Sequence, residues 1–144
     1  MIFREATMAD ADLILSWRND PDVFANFRVP EPVGLEEHLS WFAKTLSNPE
    51  RHVIIIAEES EALGMIRLDE RDAGNYEVAI IIAPSHQGKG YGSKLLRFVC
   101  TCEDGALIAD IKKENAASRR LFEKCEFRQI SREAEYVLYR RDRK

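Results

Sequence analysis

The residues Gln87-Gly88-Lys89-Gly90-Tyr91-Gly92 follow a short apolar run, Ile80-Ile81-Ile82-Ala83, that breaks at Pro84. The run reads as a strand, the glycines as a turn and the residues beyond them as the start of a helix. Glycines at alternate positions leave main-chain N–H groups uncovered, and the helix adds its own unpaired N–H groups and the positive end of its dipole. Such a turn cradles an anion. The Walker A pattern does not fit, because no Gly-Lys pair is followed by Ser or Thr. The dinucleotide pattern G-x-G-x-x-G fails at its last position, where Ser93 stands and a glycine arrives one place early. Asp110, ending the run Ala106-Leu107-Ile108-Ala109, imitates the ribose-binding acid of that fold, so a nucleotide-binding redox protein stays as a rival.

Charge near the turn points the same way as its glycines. No acidic residue lies between Glu77 and Glu103, while Lys89, Lys94 and Arg97 fall in that interval. Each alone reads as a solvated residue on a helix face; together, around an anion cradle, they favour a polyanionic ligand.

Gln87 to Gly92 resembles the Q/R-x-x-G-x-G/A signature of the GNAT superfamily of acetyl-CoA-dependent N-acetyltransferases. A second block, Asn115 to Phe127 (NAASRRLFEKCEF), is similar to that family's N-x-x-S-x-x-L-[YF]-x-K-x-G-F segment, and the resemblance covers essentially the whole chain. It implies that Ile81, Ile82 and Ala83 line the pantetheine arm of CoA through main-chain bonds. It also implies that Gln87, Gly88, Lys89, Gly90, Tyr91 and Gly92 hold the pyrophosphate. Asn115 and Ser118 are implied contacts near the reacting end; from the residues alone, Asn115 reads equally as a helix N-cap and Ser118 as an exposed helix residue. Glu77 matches the glutamate that takes the amine proton in many relatives. His38, on a helix face with Trp41 and Thr45, is a second candidate base, although a lone surface histidine is the simpler reading.

Two positions depart from the family pattern. Phe122 stands where many relatives carry the tyrosine that protonates the leaving thiolate, so water, Ser118, Tyr91 or Tyr136 must serve, or the thiolate leaves unassisted. Glu126 stands where a glycine usually ends the helix in a left-handed conformation. The missing tyrosine motivates a second rival, a non-catalytic acyl-CoA-binding or sensing domain.

Trp17-Arg18-Asn19-Asp20-Pro21 with Glu36-Glu37-His38-Leu39-Ser40-Trp41-Phe42 is similar to the GNAT branch that acetylates nucleotide-linked amino-sugars in pseudaminic-acid biosynthesis. On that resemblance Arg18, Asn19 and Trp41 contact the acceptor, a primary amine on a UDP-linked amino-sugar; related branches acetylate protein N-termini or small amines. An Arg-Asn-Asp-Pro run that simply ends a helix explains the first segment without any ligand.

At 144 residues, 45% hydrophobic and 32% charged, the chain has the composition of one ordinary soluble domain over 1–144. That length buries about 68–70% of the surface its unfolded chain exposes. No apolar run has the length of a membrane span or signal peptide, and cytoplasm is the expected address. The net charge of −4 speaks against nucleic acid as a partner, and no membrane partner is expected. A homodimer is left open. Cys100, Cys102 and Cys125 lie in apolar helical patterns and read as core thiols, not as a metal site.

Around these residues the expected elements are a strand at Ile2 to Ala6, then a helix from Met8 to Arg18 entered by the capping box Thr7-Met8-Ala9-Asp10, with Leu13, Ile14 and Trp17 as its apolar stripe. A loop or broken turns over Asn19 to Gly34 and a helix from Leu35 to Leu46, with Leu35, Leu39, Phe42 and Leu46 inward, come next. Strands at His52 to Glu59, Leu63 to Glu70 and Asn75 to Ala83, joined by short turns, read as antiparallel. A helix to Cys102, a strand at Ala106 to Asp110, a helix from Glu114 to Cys125 and strands at Phe127 to Ser131 and Tyr136 to Tyr139 complete the order β-α-α-β-β-β-α-β-α-β-β. That order looks like the GNAT fold: an α/β (α+β) domain with a mixed, mostly antiparallel sheet flanked by helices.

Overall fold

A computed structural model describes residues 1–144. Strand β1 (Ile2–Glu5) leads into the first helix through Asp10, whose carboxylate accepts the Thr7 N–H at 2.8 Å, one half of the expected capping box. Arg4 grips the same carboxylate with bonds of 2.8 and 2.9 Å. Those bonds hold the Asp10 carboxyl below its ordinary range, outweighing the burial that opposes them. Helix α1 covers Ala11–Arg18. Within the segment expected as loop, a one-turn helix α2 (Pro21–Phe24) forms, because Asp20 Oδ1 accepts the Asp22 N–H at 2.9 Å and proline occupies the first position. Helix α3 follows at Leu35–Ser47.

Strands β2 (Arg51–Glu58), β3 (Glu61–Asp72) and β4 (Asn75–Ile82) pair antiparallel in sequence order. The β2–β3 turn puts Glu59 and Ser60 at φ of 50° and 70°, the signs that a tight hairpin requires. Helix α4 (Tyr91–Cys102), strand β5 (Leu107–Lys112), helix α5 (Ala116–Lys124) and strands β6 (Arg128–Arg132) and β7 (Tyr136–Arg141) complete the chain. The seven strands lie in the order β1-β2-β3-β4-β5-β7-β6. Only β4 and β5 run parallel, with α4 as their crossover. This is the mixed, mostly antiparallel sheet expected from the sequence. It removes the dinucleotide rival, which needs helical crossovers between successive strands before its phosphate loop.

Each face of the sheet carries a core. Leu95, Leu96 and Val99 of α4 and Phe122 of α5 pack on one face against Ile66, Leu68, Val78, Leu107 and Tyr139. Ala11, Ile14 and Trp17 of α1 and Phe42 of α3 pack on the other against Val53, Ile55, Met65 and Ile81. Two expected core leucines are misassigned: Leu13 is 42% and Leu35 53% exposed. The inward stripe of α1 is Ala11, Ile14 and Trp17, and that of α3 is His38, Phe42 and Thr45, a spacing equally compatible with the helical period. Cys100 and Cys125 are buried, but Cys102 is exposed at the end of α4, against its expected place in the core. No helix is long and apolar enough to cross a membrane.

Candidate active site

Strands β4 and β5 share two register pairs, Tyr76 with Leu107 and Glu77 with Ile108. Beyond them the strands part: β4 continues to Ile82 and β5 to Lys112. The other edge of β4 stays paired with β3 as far as Ile82 opposite Gly64. A wedge therefore opens in the middle of the sheet, its vertex at Glu77, with one wall formed by the β5-facing main-chain edge of Val78 to Ile82. Ile81 and Ala83 are buried and Ile82 partly so, so the side chains serve the cores while main-chain groups face the wedge.

The glycine turn lies at the wide end of that wedge. Gly88 and Gly90 hold φ of 78° and 86°, and a Cβ at either would meet no neighbour. Glycine is needed there for backbone conformation, not for room. Gly92 differs: a Cβ there would lie 3.2 Å from Leu121 Cδ2, so it seats α4 against α5. Gly90 is the N-cap of α4 and no side chain caps the helix, which leaves the first-turn N–H groups facing outward. Lys89, Lys94 and Arg97 are exposed around it. Two buried polar atoms flank the turn without a protein partner, His86 Nδ1 before it and Ser93 Oγ within the first helical turn. Gln87 is exposed, its Nε2 reaching the Ile82 carbonyl at 3.4 Å. The Tyr91 hydroxyl donates to Glu58 at 3.2 Å, on the β2 side of the turn.

Register fixes what shares the α1/α3 face of the wedge. Arg67 pairs with Ala79 and Asp69 with Glu77 across the β3–β4 ladder, so these four side chains lie on one face with Met65 and Ile81. Glu77 is partly exposed and accepts from Arg71 Nη2 at 3.1 Å. Asp69, only 4% exposed, is held by Arg51 at 2.7 Å and Arg67 at 3.0 Å. Burial raises its pKa, but the bonds and charges of both arginines together outweigh this and hold it below the ordinary range. The Trp41 ring of α3 lies beneath two guanidiniums, Arg18 at 4.5 Å and Arg67 at 5.5 Å from its centroid.

His38 departs from both of its expected readings. It is neither a surface residue nor open to an acceptor, being fully buried with both ring nitrogens engaged. Arg18 Nη1 donates to its Nδ1 at 3.0 Å, and its Nε2 lies 2.8 Å from the Ala11 carbonyl. A guanidinium only donates and a carbonyl only accepts, so the ring is neutral with its proton on Nε2. Burial, seconded by the Arg18 charge, lowers its pKa against the opposing Ala11 bond. His38 thus positions Arg18. Asn19 is also corrected: its Nδ2 donates to the Val33 carbonyl at 2.9 Å and its Oδ1 accepts the Val33 N–H at 2.7 Å, closing the base of the loop instead of facing an acceptor.

On the second wall, Asn115 caps α5, its Oδ1 accepting the Ser118 N–H at 3.1 Å. Ser118 is partly buried. Phe122 is buried in the core, edge-on to Phe127 at 4.9 Å. Glu126 adopts φ of 72°. The Phe127 N–H returns to the Phe122 carbonyl at 3.0 Å and the Glu126 N–H to that of Glu123 at 3.1 Å. The left-handed helix ending is therefore kept without its glycine.

Two contacts of this region, those of Arg67 and Arg28, have little or no signature in the sequence. Arg67 left a trace, since it and Asp69 are charges at the inward parity of an otherwise apolar strand. The other left none: Arg28, in the loop before α3, bonds Asp110 through Nε at 2.6 Å, and its guanidinium carbon lies 3.8 Å from the Tyr136 ring centroid. Asp110, the apparent ribose-binding acid, anchors that loop. Two further surface depressions, one along Leu46, Arg51 and His52 and one along Gly74, Glu103 and Arg143, lie outside the wedge.

A family model described as an acetyltransferase (GNAT) domain matches residues 1–128. An uncharacterized protein of Methanocaldococcus jannaschii is 26% identical over 147 residues, covering 95% of this chain but 30% of its own length. The chain thus spans less than a third of that relative. Acetyltransferase PseH of Campylobacter jejuni is 21% identical over 128 residues, 87% of this chain and 81% of that protein. Among solved structures, spermidine N-acetyltransferase from Vibrio cholerae, in complex with CoA and spermine, superposes with a TM-score of 0.83 at 19% identity, covering 96% of this chain and 92% of that one.

Proposed function

The chain belongs to the GNAT acetyltransferase family, and from that premise we propose that its 144 residues act as one domain that moves the acetyl group of acetyl-CoA directly to a primary amine on a nucleotide-linked amino-sugar. The observation that carries the reading is the wedge with its glycine turn: an unpaired strand edge leading to an uncapped helix start. A pantetheine arm is a chain of amides that can add to the exposed edge of Ile81, Ile82 and Ala83. A pyrophosphate suits the amides of Gln87 to Gly92, with Lys89 and Lys94 alongside. The orphaned Ser93 hydroxyl at this turn also fits an anionic ligand. Asn115 and Ser118 begin the helix on the second wall, where they can meet the arm's far end.

Acetyl-CoA supplies the activated acyl group as co-substrate. What remains for the chain is to orient the amine, accept its proton and let the thiolate depart. Glu77 at the vertex is the group assigned to the proton, directly or through a water. The amine nitrogen bonds to the acetyl carbon as the carbon–sulfur bond breaks, and the sulfur takes the electron pair. Phe122 offers no proton and the Tyr91 hydroxyl is directed to Glu58, which leaves Ser118, Tyr136 or solvent to protonate the thiolate in this assignment. Cys100 and Cys125 are buried and Cys102 lies at the end of α4 opposite the glycine turn, so no cysteine lines the cradle, which supports transfer without a covalent enzyme intermediate. The amino-sugar acceptor rests on the resemblance of Trp17 to Pro21 and Glu36 to Phe42 to the amino-sugar branch; spermidine and protein N-termini, acceptors of enzymes with a similar fold, are the competing classes.

Thiol release from acetyl-CoA, followed with a UDP-linked 4-amino-dideoxy sugar, spermidine and an N-terminal peptide in parallel, tests the acceptor class. Release that is fastest with the sugar supports it; release confined to spermidine or the peptide overturns the acceptor while keeping the acetyl transfer.

A further inference from the structure

Among the arginines of the α1/α3 face, Arg18 is the one with no carboxylate partner. Arg51 and Arg67 share Asp69, Arg71 takes Glu77 and Arg4 takes Asp10. Arg18 bonds only the neutral His38 ring. Its remaining donors meet no protein acceptor, although a partly buried guanidinium ordinarily finds one. Its pKa is lowered, by burial first and by the charge of Arg67 second, with exposed Glu37 opposing weakly. Arg51 and Arg67 thus share the one carboxylate of Asp69, while Arg18, over the same Trp41 ring as Arg67, has none. Two guanidiniums lean on one Trp41 ring, which lends cation–π attraction but no compensating charge. Arg18, fixed by a buried histidine beside a second guanidinium, is therefore a partly buried charge without a counter-charge, which a bound anion would relieve.

We propose that Arg18 and Arg67, gathered on Trp41, form an oxyanion subsite for a phosphate or carboxylate carried by the acceptor. Calling the anion part of the acceptor rests on the acetyl-transfer reading above; the subsite itself rests on the arginines alone. Arg67 stands beside Ala79, one step along the same face from Glu77, so an anion held here leaves an amine elsewhere on the same molecule within the wedge. Guanidinium forks match both phosphate and carboxylate oxygens in pairs. Arg18 acts by contact, and His38 is a positioning residue that fixes its direction.

The test titrates inorganic pyrophosphate, UDP and glutarate by calorimetry into protein saturated with CoA, which occupies the glycine turn, and repeats the titration on the Gly90→Val variant without CoA. One anion bound per chain, with affinity falling at least tenfold in both Arg18→Met and Arg67→Met, is the expected result. Binding of the phosphates alone or of glutarate alone identifies the source of the oxyanion. Affinity unchanged in both arginine variants, or no anion bound in either arrangement, overturns the subsite. Should Arg18→Met fail to fold, Arg67→Met and Arg18→Lys carry the comparison. The acetyl-transfer reading fails separately, through loss of CoA binding, which the Gly90→Val arm does not require.

Discussion

Glu77 stands opposite Ile108 on the last register pair that β4 and β5 share. Its carboxylate therefore marks the point where the sheet divides, on the face that also carries Arg67. Replacing it by glutamine keeps the shape and removes the proton acceptor. We expect Glu77→Gln to lower kcat by about 10²–10³-fold while acetyl-CoA affinity, measured by calorimetry, is unchanged. Full activity in that variant would remove Glu77 from the chemistry.

Gly90 combines a left-handed backbone, φ of 86°, with open space beside it. A valine there suffers a backbone penalty of about 1–2 kcal/mol and places a branched side chain over the cradle. The fold has room for it and should survive by circular dichroism, while CoA affinity falls at least tenfold. A folded Gly90→Val variant with undiminished affinity would sink the cradle.

The glycine turn, the strand before it and the Asn115 cap were legible in the sequence because their signals are local: chain-breaking residues beside an apolar run. The mostly antiparallel sheet followed from turns too short for crossovers. Side-chain direction on the helices was less legible. Leu13 and Leu35 look like core residues, but a helical stripe can be drawn one position over, and tertiary packing chose Ala11 and His38 instead. A lone histidine in an amphipathic helix gives no sign that the Ala11 carbonyl of α1 accepts its Nε2–H. The Arg28–Asp110 bond joins residues 82 apart, a separation at which composition and periodicity carry no information.

The burial of His38 has a pH signature. Its pKa is lowered in the folded chain, so above the ordinary value of about 6.5 the ring is neutral in both states and stability does not depend on it. Below that pH the unfolded chain binds the proton first, and stability falls by up to about 1.4 kcal/mol per pH unit until the folded-state value is reached. Asp10 and Asp69, both lowered, withdraw their contributions only as pH falls through about 4 and below. Urea denaturation between pH 7 and 5 should show this slope in the parent and a flatter one in His38→Gln. Identical slopes would contradict the buried neutral ring.

Glu126 closes α5 at φ of 72°, a conformation that glycine adopts without strain. Its ion pair with Arg141, at 3.4 Å and 80% exposed on the Glu126 side, contributes little. Glu126→Gly should therefore stabilise by about 1 kcal/mol, raising Tm by about 2–4 °C in a chain of this size. A lowered Tm would show that the side chain, not the backbone, governs this ending.

Phe122 lies in the core with its ring edge against Phe127. A tyrosine there must find a hydrogen-bond partner for its hydroxyl or lose about 1–3 kcal/mol. We expect Phe122→Tyr to lower Tm and to change turnover less than tenfold, since the ring at this position is buried in the core. A large gain in turnover at unchanged stability would instead mean that the chain lacks a proton donor which the tyrosine restores.

If the wedge and its glycine turn hold acetyl-CoA, the protein binds it in a single site without help from any acceptor. Calorimetric titration of the protein with acetyl-CoA, repeated with NAD on the same preparation, tests it most directly. One acetyl-CoA bound per chain, with no measurable heat from NAD, is the expected result. Absence of acetyl-CoA binding by folded protein, or a preference for NAD, would contradict it.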